Sequence, residues 1–138
     1  MRCDTAIPDL SPGRYWPGVT AVGYRLMVCG GFPSGSTVAA HGKHCFYFDT
    51  NSTEDSPAWV AMDDMPIARG YFEFETYDDA AYAIAGYSSG EISQVDRWSK
   101  GTGWTQMASY PFINRRFCFY ETFYWFSSFT VHLFVSKT

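Results

Sequence analysis

The feature that most constrains this chain is a repeat of part of itself. Asp9-Leu10-Ser11-Pro12-Gly13-Arg14-Tyr15-Trp16 lies over Asp64-Met65-Pro66-Ile67-Ala68-Arg69-Gly70-Tyr71 at an offset of 55. The same offset carries Leu26-Met27-Val28-Cys29-Gly30-Gly31-Phe32 onto Ala81-Tyr82-Ala83-Ile84-Ala85-Gly86-Tyr87. The stretch from arginine to glycine therefore has one length in both units, Arg14 to Gly31 and Arg69 to Gly86. Beyond the glycine the offset becomes 45: Trp59-Val60-Ala61-Met62 matches Trp104-Thr105-Gln106-Met107, and Met65-Pro66 matches Tyr110-Pro111. The first unit thus has ten more residues between its glycine and its tryptophan. Length variation of this kind belongs in loops, as in proteins built from stacked repeats.

Each unit reads as a small antiparallel sheet. Tyr71-Phe72-Glu73-Phe74-Glu75-Thr76-Tyr77 has near-alternating aromatic and polar residues, the pattern of a strand with one buried face. Asp78-Asp79 makes a turn, and Ala80 to Ala85 is a continuous apolar run that suits a fully buried strand. Ile92 to Trp98 and Trp104 to Met107 supply two more strands around the turn Ser99-Lys100-Gly101-Thr102-Gly103. Composition agrees, with 46% hydrophobic, 20% aromatic and only 17% charged residues, so general disorder is excluded. A lone four-stranded sheet exposes both faces, so such a unit must stack on neighbours.

These residues resemble the kelch repeat, in which an apolar strand ends in a glycine pair and a tyrosine and a tryptophan follow. The first unit shows Val28-Cys29-Gly30-Gly31, then Cys45-Phe46-Tyr47-Phe48-Asp49, then Trp59. The second shows Ile84-Ala85-Gly86, then Val95-Asp96-Arg97-Trp98, then Trp104. It departs from the pattern in having Ala85 for the first glycine, and its tyrosine position falls near Arg97-Trp98. The resemblance implies an all-β fold: an incomplete kelch-type β-propeller segment of about two four-stranded antiparallel blades with partial flanking repeats. Residues 1–116 form the repeat segment, with units at about 14–68 and 69–114, and 117–138 form an atypical tail. That tail has nine aromatics and no glycine, a departure from the repeat. From strand and turn spacing alone, a β-sandwich remains an alternative. Propellers close with four to eight blades, so further repeats or self-association are needed to complete a ring.

By the same resemblance Arg14, Gly30, Gly31, Trp59, Arg69, Gly86 and Trp104 are repeat-structural residues. The glycines permit close strand packing and each tryptophan wedges against the adjacent blade. The arginine recurs as Arg115 or Arg116 and suits an inter-blade hydrogen bond to a backbone carbonyl. Cys29 and Cys45 are a candidate disulfide if adjacent strands align them, and two buried thiols otherwise. Cys3 and Cys118 stay unassigned. Asn51-Ser52-Thr53 is a glycosylation triplet, with Asn51 the acceptor. His41, His44 and Cys45 are near one another in sequence, but no second cluster completes a four-ligand metal site, so a solvated loop is expected. Asp63-Asp64 and Asp78-Asp79 read as turn residues rather than acid–base pairs.

Function follows by exclusion and by resemblance. A net charge of −4 without a basic stripe argues against nucleic acid. The aromatic run Phe123 to Val135 is too short for a membrane span. Met1 to Leu10 contains no apolar signal-peptide core. The candidate disulfide and glycosylation triplet favour an extracellular or secreted setting over a cytoplasmic one. No phosphate loop, dinucleotide fingerprint or nucleophile elbow is present, so neither catalysis nor a cofactor is expected. The expected role is a protein-interaction module that binds an unidentified protein partner through loops such as Phe32 to His44 and Thr50 to Ala58. The alternatives are a piece of a galactose-oxidase-like copper radical oxidase, or of an intracellular BTB-kelch ubiquitin-ligase substrate adaptor.

Overall fold

The structure, a computed structural model, describes residues 7–34 and 42–109. These contain ten strands and no helix: β1 (Arg14–Tyr15), β2 (Gly18–Val22), β3 (Arg25–Cys29), β4 (Phe32–Pro33), β5 (Cys45–Asp49), β6 (Val60–Met62), β7 (Glu73–Tyr77), β8 (Ala80–Ile84), β9 (Val95–Ser99) and β10 (Gly103–Gln106). Among the described residues no helix is long and apolar enough to cross a membrane.

Two four-stranded antiparallel sheets result, β2-β3-β5-β6 and β7-β8-β9-β10, each a meander in chain order. A short β1-β4 pair flanks the first. The fully buried strand expected at Ala80 to Ala85 is β8, every residue of which is buried. The hairpin before it turns at Asp78 and Asp79, both left-handed with φ of 47° and 56°. Paired left-handed residues suit a two-residue hairpin because they match the twist of its strands. The strand expected from Tyr71 begins only at Glu73, since Tyr71 is itself left-handed with φ 52°. The strand expected from Ile92 likewise begins at Val95, after the Ile92 N–H bonds to the Gly86 carbonyl at 2.9 Å.

Strand pairing locates the ten extra residues. Cys29 faces Cys45 across β3 and β5, and Ile84 faces Val95 at the matching place in β8 and β9. Sixteen positions separate the first pair and eleven the second. Trp59 follows Phe48 by eleven positions, whereas Trp104 follows Trp98 by six. Each connection is therefore shorter by five in the second unit, and the offset falls from 55 to 50 to 45 across a sheet whose strand plan is unchanged.

The main core lies between the sheets. Val22, Met27, Cys29 and Cys45 of the first sheet cluster with Phe72, Phe74, Ala81, Ala83 and Trp98 of the second unit. Alternation along each strand sends these side chains to one face. The opposite face of the second sheet holds a separate cluster of Ala80, Tyr82, Ile84 and Val95. Threonines tie the sheets at their margin: the Thr76 hydroxyl donates to the Ala21 carbonyl at 2.7 Å and lies 2.8 Å from the Thr20 hydroxyl.

Candidate functional site

The repeated arginines organise the crossing from one sheet to the next. The Arg69 side chain is 0% exposed, and so is Asp96, its ion-pair partner. The Arg69 guanidinium also donates to the carbonyls of Ala83 (3.3 Å), Ala85 (2.9 Å) and Gln94 (3.0 Å). Asp96 is held from its other side by the Gln94 amide at 2.7 Å. The backbone of Arg69 bonds to the first unit: its N–H donates to the Gly42 carbonyl at 3.1 Å, and its carbonyl accepts from Gly31 N–H at 2.9 Å. One residue thus ties the connection between β3 and β5 of the first unit, through its main chain, to the second sheet, through its side chain.

Arg14 repeats half of this arrangement. Its guanidinium donates to the Gly30 carbonyl at 3.1 Å, and Gly30 stands to Ala85 at the same offset as Arg14 to Arg69. Where Arg69 meets Asp96, Arg14 lies over the Phe46 ring at 5.1 Å. Phe46 faces Val28 and Asp96 faces Ala83, so they are equivalent positions. Burial depresses both arginines below their ordinary pKa, opposed by the nearby charges of Asp96 for Arg69 and Asp64 for Arg14.

The glycines allow close approach of main chain, Gly30 of the crossing at Arg69 and Gly31 of strand β1. Gly30 has φ 65°, and a Cβ there would collide with the Arg69 carbonyl oxygen and lie 2.8 Å from Met65 Cε. Gly31, with φ 76°, is equally closed, with the Tyr15 carbonyl oxygen 2.5 Å from where its Cβ would be. Gly86 has φ 113° and packs against Phe72. Ala85, in the place of Gly30, adopts its left-handed geometry at φ 58° despite carrying a Cβ.

The tryptophans bond alike in the two units. The Trp104 indole donates to the Asp63 carbonyl at 2.9 Å, and the Trp59 indole to the Pro8 carbonyl at 2.7 Å. Trp104 stacks near Phe74, which ties the outer strand of the second sheet to the first strand of that sheet.

An aromatic cluster forms around Trp16. Trp16 and Tyr71, equivalent positions of the repeat, stack on each other at 4.5 Å and 26°, and both have left-handed backbones. Phe32 meets both rings edge-on, at 5.6 and 6.4 Å, and Tyr15 adds a fourth ring at 6.1 Å. Trp16 remains 51% exposed. Sequence reasoning aligned Trp16 with Tyr71 but did not foresee their contact. It also passed over Asp96, whose signal was an acidic residue in the otherwise half-apolar run Val95-Asp96-Arg97-Trp98.

The remaining candidates lie elsewhere. Cys29 and Cys45 form a disulfide across a matched strand pair with Cα atoms 4.2 Å apart. Asn51 is exposed in the loop after β5, where its N–H donates to the Asp49 carboxylate at 2.9 Å. His44 Nδ1 lies 2.9 Å from Asp64 Oδ1, and Lys43 approaches the other oxygen at 3.9 Å. Among the described residues no three His, Cys, Asp or Glu side chains gather to hold a metal. Cys3, His41, Arg115, Arg116, Cys118 and the tail 117–138 lie outside the described residues. What the described surface offers chemically is a half-exposed aromatic cluster beside loops, next to the arginine-pinned crossing.

No family model matches the chain, and no curated protein does. Among solved structures it is similar to one titled "Structure of YjhT", at 17% identity and a TM-score of 0.60. The match covers 76% of this chain and 30% of that one, so the likeness is one of fold over a minor part of the other protein.

Proposed function

We propose that the two sheets are consecutive blades of a kelch-type β-propeller and that the chain serves as a protein-interaction module rather than a catalyst. The observation that carries this reading is the recurrence of one bonding plan at the repeat offsets. Arg14 to Gly30 and Arg69 to Ala85 are the same bond, as are Trp59 to Pro8 and Trp104 to Asp63. Polar ties repeated in both units belong to the scaffold, which leaves binding to the loops that differ between them. Those loops are the two that are longer in the first unit, Phe32 to His44 and Thr50 to Ala58. The likeness of fold to YjhT supports the architecture and says nothing of a partner.

The test is partner capture. Affinity pull-down with the chain is compared with pull-down by a variant in which both loops are replaced by their shorter counterparts from the second unit. Loss of the captured partner, with the urea unfolding midpoint unchanged, is the expected outcome. Undiminished capture by the loop-exchanged variant refutes the proposal.

A further inference from the structure

Polar ties that recur in both units belong to the scaffold, and one cluster of charges does not recur. Both oxygens of the Asp64 carboxylate meet basic groups: Oδ1 lies 2.9 Å from His44 Nδ1, and Oδ2 lies 3.9 Å from Lys43 Nζ. The Asp64 charge also acts on Arg14, whose Nη1 lies 3.2 Å from where a Cβ on Gly42 would be. Backbone bonds fix these pieces, from the Met65 N–H to the Lys43 carbonyl at 2.8 Å and from the Gly30 N–H to the His44 carbonyl at 3.0 Å. Three basic side chains thus gather around one carboxylate, in a chain of net charge −4.

The second unit shows a balanced form of this arrangement. Register places Arg69 over Arg14, Gln94 over His44 and Asp96 over Phe46. There one arginine meets one carboxylate, and both are fully buried. In the first unit Phe46 takes the place of that acid, and among the described residues no carboxylate stands at ion-pair distance from Arg14. The other charges have no counterpart either, because Ser93 stands at the place of Lys43 and Ser109 at that of Asp64. The cluster is open to solvent, with the Lys43 and His44 side chains 53% and 61% exposed. Pairs so exposed are weakly held, because water screens them and their side chains must be ordered. Asp64 can therefore be exchanged for another carboxylate.

We infer that Arg14, Lys43 and His44 receive an acidic segment of the protein partner, one carboxylate of which takes the place of Asp64. This deepens the reading of Phe32 to His44 as a binding loop, and rests on it. Carboxylate is the chemistry the fold already selects here: the cluster holds Asp64, and the equivalent Arg69 holds Asp96. Guanidinium and ammonium groups both donate charge-assisted hydrogen bonds to carboxylate oxygens. A nucleic acid would need a basic stripe along its phosphates, which three side chains in an acidic chain do not supply.

The experiment titrates the full chain into a fluorescently labelled hexaglutamate peptide and follows its anisotropy. Binding is expected at low ionic strength and should weaken as salt is added, because the charges involved are exposed. Lys43→Glu is expected to weaken binding by about tenfold or more, through like-charge repulsion. Asp64→Asn removes the competing carboxylate and is expected to tighten binding several-fold, a gain that the loss of a merely structural tie would not produce. Urea midpoints report whether each variant is folded, and Lys43→Gln, with a smaller loss, replaces Lys43→Glu if that variant is not. Absence of hexaglutamate binding overturns the inference, as does equal binding by the Lys43 variants or no gain from Asp64→Asn. Displacement of the peptide by an equal concentration of inorganic phosphate also overturns it, because the cluster then takes any free anion. Partner capture separates this inference from the reading beneath it. If exchanging the loops abolishes capture while Lys43→Glu leaves it intact, only the acidic contact fails. If the exchange leaves capture intact, the binding-loop reading fails, whatever hexaglutamate does.

Discussion

Replacing Arg69 by methionine tests the crossing directly. The substitution keeps much of the stem's volume and removes the charge, so three carbonyls lose a donor and the Asp96 carboxylate is left buried beside Gln94 alone. Breaking a buried ion pair by removing one partner costs about 3–5 kcal/mol, because the other charge stays desolvated. Arg14→Met is the internal comparison. It loses one carbonyl bond and a half-buried contact with Phe46, together about 2 kcal/mol. The two variants should therefore differ by about 2 kcal/mol, read as urea midpoints at constant slope. The double variant Arg69→Met/Asp96→Leu should recover most of the loss, since a buried pair exchanged for apolar residues is often neutral. Equal costs for Arg14→Met and Arg69→Met, or a cost below about 1 kcal/mol for Arg69→Met, would refute the view that Arg69 joins the sheets.

Four further outcomes follow from the same geometry. Reducing the Cys29–Cys45 disulfide, which closes a loop of sequence separation 16, should cost about 3 kcal/mol by chain entropy, and Cys29→Ile/Cys45→Val, the residues at the matching place in the second sheet, should regain part of it in the presence of reductant. Glu75 is pushed up from the ordinary carboxylate value to about 7 by burial, by its hydrogen bond with Glu73 and by the Glu73 charge. The folded state then holds more protons than the unfolded state between about pH 4.5 and 7, so stability falls as pH rises through that window and levels off above it. Glu75→Gln should flatten the fall and stabilise the protein at alkaline pH, and a urea midpoint that keeps its pH dependence in the variant contradicts this. Gly30→Ala should destabilise by at least about 2 kcal/mol through its left-handed backbone and the collision with the Arg69 carbonyl, while Gly90→Ala, with open space around it, should be near neutral. Expression through a secretory pathway should add a glycan at the exposed Asn51, removable by an endoglycosidase, and Asn51→Gln should abolish the mass shift.

What the sequence determined by itself was local. Alternation in Tyr71 to Tyr77 and the apolar run at Ala80 to Ala85 placed two strands, the first of which begins only at Glu73, because side-chain sidedness depends only on the two-residue period of a strand. The paired offsets exposed the repeat and the difference in loop length, and the two cysteines stood where neighbouring strands could align them. The tertiary structure decided everything that depends on which strands meet. Strand pairing divided the extra length of the first unit equally between two connections. The approach of the second sheet, rather than any spacing, paired Arg69 with Asp96, far along the chain, and stacked Trp16 on Tyr71. Equivalent residues in a repeat are alike in sequence, but whether they touch depends on how one unit is set against the next. The glycines show the same division: their recurrence was visible in the chain, and what closes on them, the Arg69 carbonyl at Gly30, the Tyr15 carbonyl at Gly31 and Phe72 at Gly86, emerged only once the sheets were packed.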